Sequence, residues 1–221
     1  MNKLEVRGVS KRFADKQVLE DISITLKEGE LVCLLGISGA GKSTLAHALA
    51  KATGFVEMDV EDFYFPEQRA SRIHALEHDS IIETEHLGDI PFSVARTKAE
   101  VEQLLLRAIP QDNGFILAGV TLNFTTEITK HIDLAVELQT PLETRLQRIE
   151  DREIRRFGDR VLPGGDMFAQ QEDFRKMVET RDPTAASQSI AKLGCPVLTL
   201  DGTRPTAENI AVILSHLQNN K

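Results

Sequence analysis

The chain has 221 residues, of which 41% are hydrophobic and 27% charged, and its formal net charge is −8 at pH 7. These values are ordinary for a globular protein with one core. The acidic balance argues against a general nucleic-acid binder, which needs a basic surface to neutralise phosphates.

The termini and cysteines indicate the setting of the protein. The N-terminus lacks the apolar stretch of a signal peptide, and no apolar run reaches membrane-spanning length, so we expect no membrane insertion. Cys33 and Cys195 are too few for a disulfide framework and are predicted to be small buried side chains. We therefore expect a reducing, cytoplasmic location.

The first predicted elements are β strands. Apolar residues alternate with polar ones along residues 1–29, which is typical of strands, and Lys27–Glu30 then supplies a turn. This segment predicts a small antiparallel β appendage ahead of the main domain.

The next segment is the most informative of the chain. The apolar run Leu31–Leu35 predicts a buried strand, and residues 36–43 (GISGAGKS) match the phosphate-binding P-loop pattern at every fixed position. A helical pattern follows, so the strand, turn and helix that the motif requires are all present. Backbone N–H groups and the helix N-terminus would hold the phosphates, Lys42 would reach the β- and γ-phosphates, and Ser43 would bind Mg²⁺. The predicted nucleotide-binding residues are Gly36, Ser38, Gly39, Ala40, Gly41, Lys42, Ser43 and Thr44.

The remaining elements alternate between strands and helices. Strands are predicted at 55–59, 114–120, 132–138 and 196–200, and helices at 97–109, after Pro141 and from Thr206. This alternation predicts a single domain with the three-layer α/β P-loop NTPase fold and a mostly parallel sheet. We expect the P-loop strand at the centre of the sheet, flanked by the strands at 55–59 and 114–120.

Two acids follow the second predicted parallel strand. Asp59 and Asp62 lie where that strand ends, and ligands bind at the carboxyl ends of strands in open parallel sheets. Either acid could accept a proton from a substrate hydroxyl or hold Mg²⁺, and a solvated acidic turn is the alternative.

The helix after Pro141 carries a row of arginines. Arg145, Arg148, Arg152, Arg155 and Arg156 share one side of a helical wheel, beside an apolar stripe. Such a row suits a lid over transferring phosphates, predicted at 141–165, with Arg148, Arg152 and Arg156 as the preferred residues. The alternative is a surface helix held by ion pairs with Glu150, Asp151 and Glu153.

The phrase Asp62-Phe63-Tyr64 after a short strand, together with residues 145–165, resembles uridine kinase and related small-molecule P-loop kinases over about residues 30–215. That resemblance implies that Asp62, or else Asp59, is the catalytic base. These kinases commonly have an acid where this chain has Ala118, so either Asp59 and Asp62 organise the metal or transfer is weak or absent.

A second resemblance covers residues 4–45, with the phrases at 9–13, 18–23 and 28–30. It is similar to the start of an ABC-transporter ATPase subunit and implies that Phe13 stacks on adenine; an aromatic residue packed in the β appendage is the alternative. Beyond residue 50 the match fails, because Gly202 stands where the catalytic glutamate should be.

The segment at 60–96 is the expected acceptor-binding region, because P-loop kinases insert theirs between the second and third core strands. Its polar groups can hold a hydroxylated or anionic metabolite, and its histidines lack metal-ligand spacing. We expect a cleft walled by Asp59, Asp62, Tyr64 and the stretch 66–96. The polar residues concerned are Arg69, Arg72, Arg96, His74, His78 and His86.

These patterns favour an ATP-dependent kinase that transfers the γ-phosphoryl group to a hydroxyl of a nucleoside- or sugar-like metabolite, with Mg²⁺ as cofactor. Two alternatives stay open: a degenerate ABC-like ATPase or regulator that acts through a protein partner, and a nucleotide-binding protein without turnover. The expected partners are a nucleoside triphosphate and a small-molecule acceptor, without nucleic acid. The sequence leaves the oligomeric state open.

Overall fold

The computed structural model describes residues 2–13, 16–27, 31–69, 95–110 and 113–219. At its N-terminal end, β1 (Asn2–Phe13) pairs antiparallel with β2 (Lys16–Lys27) as a separate two-stranded sheet. Strand β2 contacts the C-terminal helix, which gives the ribbon the support that an isolated hairpin lacks. The predicted β appendage is confirmed.

The main sheet has five parallel strands. They are β3 (Leu31–Leu35), β4 (Val56–Asp59), β5 (Phe115–Gly119), β6 (Leu134–Gln139) and β7 (Val197–Asp201). Their spatial order is β4-β5-β3-β6-β7, so the P-loop strand β3 is central, as expected. The predicted neighbours of β3 were wrong in one respect. Strand β6, rather than β4, lies beside β3, and β4 stands at the sheet edge next to β5.

Helices cover both faces of this sheet. Helix α1 (Lys42–Thr53) and the C-terminal helix, α8 (Thr206–Asn219), pack on one face through a core that includes Leu45, Leu49 and Ile213. Helix α3 (Lys98–Ala108) packs on the other through Val101 and Leu105. The predicted three-layer α/β P-loop NTPase fold is therefore confirmed.

The stretch after β4 begins with α2 (Val60–Tyr64) and a 3₁₀ helix (Pro66–Gln68). Most of the predicted acceptor segment, with Arg72, His74, His78 and His86, lies outside the described residues. The chain is described again just before α3, whose first turn has a capping box between Thr97 and Glu100.

The remaining helices lie between β5 and β7. They are α4 (Thr126–Thr129), α5 (Leu142–Phe157), a 3₁₀ helix (Gly158–Val161), α6 (Phe168–Thr180) and α7 (Ala185–Ile190). Among the described helices, none combines the length and apolar character needed to cross a membrane.

A substitution at Gly114, just before β5, would test the packing of the sheet edge. A Cβ at this buried position would lie 2.1 Å from the Phe55 ring, and the Gly114 carbonyl accepts a hydrogen bond from the Val56 N–H. We expect Gly114→Ala to lower the free energy of unfolding by about 1–3 kcal/mol, measured by urea denaturation, because overpacking forces the ring or backbone to move.

The double variant Gly114→Ala/Phe55→Leu supplies the control, because the smaller side chain makes room for the new methyl group. Its loss of stability should be smaller than the sum of the two single losses. Additive losses would show that the Phe55 contact is not the cause.

Candidate functional site

The P-loop joins β3 to α1 in the conformation that an anion-binding loop needs. Gly39 and Gly41 have φ of +83° and +101°, values that side chains other than glycine's rarely adopt. A Cβ at Gly39 would also lie 2.5 Å from the Arg145 carbonyl oxygen. Both glycines are therefore required by backbone geometry, and the loop ends at the N-terminus of α1, where backbone dipoles favour an anion.

Lys42, the first residue of α1, is 8% exposed. Its Nζ lies 3.4 Å from the Ile37 carbonyl oxygen, a long hydrogen bond back across the loop. Burial lowers the pKa of Lys42, whereas the nearby carboxylates of Glu61 and Asp59 act in the opposite direction. A buried ammonium group with so weak a described partner is suited to phosphate oxygens.

Asp59 connects the sheet edge to the P-loop. The Ser43 hydroxyl donates a hydrogen bond to Asp59 Oδ2 at 2.8 Å, and the Glu61 backbone N–H donates to Asp59 Oδ1 at 3.0 Å. Asp59 is only 4% exposed, and it caps the N-terminus of α2. In the pairing of β4 with β5, Asp59 lies opposite Ala118. Strand β4 therefore supplies a carboxylate beside Ala118, the position at which the kinase resemblance implies an acid.

The residues at this point fit a magnesium ion bound together with a nucleotide. A carboxylate and a hydroxyl within hydrogen-bond distance match the way Mg²⁺ takes one or two protein oxygens and completes its shell with phosphates and water. Within the described ranges, no group of three or more His, Cys, Asp or Glu side chains could hold a metal by itself. Ser43 and Asp59 therefore fit a Mg²⁺ site that depends on the nucleotide.

Two arginines fasten the start of α5 to the P-loop. Arg145, 6% exposed, directs its guanidinium towards the Ser38 carbonyl oxygen at 3.4 Å. Arg148 donates to the carbonyl oxygens of Ala40 at 3.3 Å and Gly202 at 2.9 Å, which ties the loop after β7 to the P-loop. The first turns of α5 thus form a fixed wall of the nucleotide site.

Further along α5, Arg152 and Arg156 share Glu153, with nitrogen–oxygen distances of 2.6 and 3.3 Å. Burial alone would lower the pKa of Arg152, but the carboxylates of Glu153, Glu61 and Asp59 outweigh that effect and raise it. Burial lowers the pKa of Arg156, but an arginine side chain stays charged in proteins, so one carboxylate holds two cations side by side.

The P-loop, Asp59 and these arginines line one cavity of about 1290 Å³. The predicted residues Ser38, Gly39, Ala40, Gly41, Lys42, Ser43, Thr44, Asp59, Arg148, Arg152 and Arg156 all line it. Gly36 does not line the cavity and lies against β6 instead, where a Cβ would be 2.7 Å from the Leu138 carbonyl oxygen.

Besides Gly36, the predicted site residue Asp62 does not line this cavity. Asp62 lies on the side of α2 away from the lining and pairs with Arg69 at 3.6 Å, whereas Glu61 and Tyr64 of the same helix line the cavity. The short helix turns by about 100° per residue, so positions 61 and 64 share a face that excludes 62. Phe13 lies at the turn end of the β1–β2 ribbon, opposite Lys16 in the register, and its stacking on adenine stays a prediction.

Sequence reasoning missed several lining residues. Besides Glu61, the cavity wall includes residues from the start of α3, from the loop after β5 and from the end of α6. The helical spacing of positions 61 and 64 was the one sequence signal that could have predicted Glu61 beside Tyr64. The other lining residues are distant in sequence, so no local pattern connects them with the site. The additional lining residues include Glu61, Lys98, Thr121, Asn123, Phe124, Phe174 and Arg181.

A family model described as an AAA domain matches residues 32–160. The chain belongs to this family of AAA domains. The matched range includes the P-loop, Asp59 and all of α5, so the site just described lies largely within the family's shared region.

Individual relatives and structures are more distant. The uncharacterised protein YqaC of Bacillus subtilis is 26% identical over 195 residues, which cover 85% of this chain and 97% of YqaC. An uncharacterised ABC transporter ATP-binding protein of Methanocaldococcus jannaschii is 49% identical over 61 residues, which cover 28% of this chain and 11% of that protein. The crystal structure of a sugar kinase from a Janibacter species has a TM-score of 0.46 at 21% identity, with 86% of this chain and 94% of that chain covered. The partial similarity to ABC ATPases is confirmed, and a specific relation to uridine kinase stays a prediction.

Proposed function

We propose that this AAA domain is an ATP-dependent phosphotransferase that moves the γ-phosphoryl group to a hydroxyl of a small metabolite. The observation that carries the proposal is the continuity of the cavity. It runs from the P-loop, past the Ser43–Asp59 contact, to the carboxylate of Glu61. Its volume of about 1290 Å³ exceeds that of typical single-ligand pockets, about 300–1,000 Å³, and leaves room for a second substrate beside the nucleotide.

The phosphate-binding residues hold the donor. The P-loop amides and Lys42 bind the β- and γ-phosphates, while Arg148 keeps the loop in register with the segment after β7. Ser43 and Asp59 would hold Mg²⁺, which neutralises charge on the phosphate oxygens when bound.

The proposed transfer uses Glu61 as the group that receives the proton. The acceptor oxygen forms a bond to the γ-phosphorus as its O–H proton passes to the Glu61 carboxylate. The bond between the γ-phosphorus and the bridging oxygen breaks, and ADP leaves with that electron pair. Arg152 and Arg156 stabilise the charge that spreads over the transferring oxygens. We assign this role to Glu61 instead of Asp62 for two reasons. Glu61 lines the cavity, and its negative charge acts in the raising direction on the pKa of Lys42 and of Arg152.

The variant Glu61→Gln tests the base. It keeps the shape of the side chain and cannot accept the proton, so we expect kcat to fall about 10²-fold or more while KM for ATP is unchanged. The measurement is steady-state phosphorylation of the metabolite that the screen in the next paragraph identifies. Asp62→Asn, on the other side of the same helix, is the matched control and should keep its rate. A larger fall of kcat in Asp62→Asn than in Glu61→Gln would assign the role of catalytic base to Asp62.

A screen of metabolite fractions with γ-labelled ATP tests the reaction class itself. The expected result is label in one small molecule, and label found only as inorganic phosphate would contradict a kinase. The partial similarity to an ABC transporter ATP-binding protein favours one alternative, an ATPase or nucleotide-binding regulator that acts through a protein partner. Hydrolysis that rises on addition of a protein partner, without any labelled metabolite, would support that alternative.

A further inference from the structure

The described lining of the cavity differs in charge from the protein as a whole. The chain carries a net charge of −8, yet among the described lining residues cations outnumber carboxylates, with Asp59, Glu61 and Glu153 as the acids. Besides Lys42 at the P-loop, the lining cations are Lys98, Arg148, Arg152, Arg155, Arg156, Arg181 and Arg204.

Arg181, just after α6, is the clearest source of that charge. No hydrogen bond or ion pair joins its guanidinium to any other residue in the part of the chain that the structure describes. It lines the cavity, is half-buried, and lies near enough to Lys42 to lower the pKa of that ammonium group. A guanidinium with five donors at a cavity wall fits a carboxylate or phosphate group.

Lys98 adds a second cation on another wall. It is the first residue of α3, and its ion pair with Glu102 is long, at 3.7 Å, with the lysine side chain 56% exposed. Lys98 and Arg181 thus place two cations in the wall of one cavity, from elements that are distant in sequence.

Aromatic side chains also line the cavity. Among the described residues, the single Tyr of the protein and three of its 10 Phe do so. They come from α2 and the residue after it, from the loop after β5 and from α6. The residues are Tyr64, Phe65, Phe124 and Phe174. Aromatic side chains from several elements suit a planar ring, which can stack against them at little entropic cost.

We propose that the acceptor is a ring-bearing metabolite with an oxyanion group, bound chiefly by Arg181 with a contribution from Lys98. This inference rests on the proposed phosphotransferase function and names the class of its acceptor. The hydroxyl that is phosphorylated is separate from the oxyanion, which anchors the molecule while Glu61 faces the hydroxyl.

The test begins with inorganic phosphate as the probe. The 221-residue chain is saturated with Mg²⁺ and a non-hydrolysable ATP analogue, which fills the P-loop, and binding of additional phosphate is measured by calorimetry. We expect one phosphate to bind, with the affinity lowered at least about tenfold in Arg181→Ala and to a smaller extent in Lys98→Ala. Arg175→Ala and Lys51→Ala, which remove exposed cations outside the cavity, are the matched controls. No phosphate binding, or equal loss in the controls, would overturn the proposal.

Three nucleosidic probes then identify the kind of oxyanion. Uridine, orotidine and uridine monophosphate share a planar ring. Uridine has no oxyanion, orotidine carries a carboxylate, and uridine monophosphate carries a phosphate. Tighter binding of either anionic probe than of uridine, lost in Arg181→Ala, supports the inference and tells which group is preferred. Equal binding of all three contradicts it. Failure of the ATP analogue to bind would instead count against the proposed phosphotransferase, so the two failures are distinguishable.

Discussion

Replacing Lys42 by alanine is expected to weaken nucleotide binding about 10- to 150-fold, which corresponds to the loss of one hydrogen bond to a charged group, worth about 1.5–3 kcal/mol. Phosphoryl transfer should fall further, by about 10³-fold, because a preorganised cation that meets developing charge contributes more in the transition state than in the bound complex. Calorimetry with ATP and Mg²⁺ measures the first effect, and single-turnover transfer to the identified acceptor measures the second.

Lys51→Ala is the matched control for this variant. Lys51 lies on the same helix, α1, near its C-terminal end and exposed, so its replacement removes the same charge without touching the P-loop. Nucleotide affinity should be unchanged in the control. Equal affinity for ATP in native protein and Lys42→Ala would remove the central claim about the loop.

Replacing Asp59 by asparagine should abolish most of the dependence on magnesium. The expected loss of phosphoryl transfer is about 10³-fold, because charge stabilisation by a bound metal is worth several kcal/mol and each 1.36 kcal/mol is tenfold in rate. Asparagine is chosen because its side-chain oxygen can still cap α2 by accepting from the Glu61 N–H, so the fold should keep its stability. The measurement is the transfer rate as a function of Mg²⁺ concentration, with urea unfolding alongside.

Asp62→Asn gives the comparison, since it removes a carboxylate three residues away that pairs with Arg69 instead of lining the cavity. The magnesium dependence of Asp62→Asn should match that of native protein. An unchanged magnesium dependence in Asp59→Asn would show that the Ser43–Asp59 contact is structural.

The structure explains why the two neighbouring acids, Asp59 and Asp62, have different surroundings. Asp59 is the last residue of β4 and the cap of α2, so its position is set by the sheet and by the Ser43 hydroxyl. Asp62 lies three residues after Asp59, on a side of the short helix α2 that does not line the cavity. Sequence position placed both acids at the correct end of a strand, but the direction of each side chain depends on a cap that spacing alone does not reveal.

The strand order shows the same limit. Periodicity located every strand of the sheet within about two residues, because alternation and burial are local properties. It did not show that β6 lies beside β3, because neighbours in a parallel sheet are joined by long crossovers and are chosen by packing between distant segments.

The sequence by itself determined the nucleotide site. The P-loop is contiguous, its glycines are required by backbone geometry at Gly39 and Gly41, and the strand and helix on either side are read from local patterns. Only the tertiary structure decided which residues line the rest of the cavity. Glu61, Lys98, Phe124 and Arg181 come from four separate elements and meet only when the sheet and its helices are packed, so no spacing in the chain brings them together.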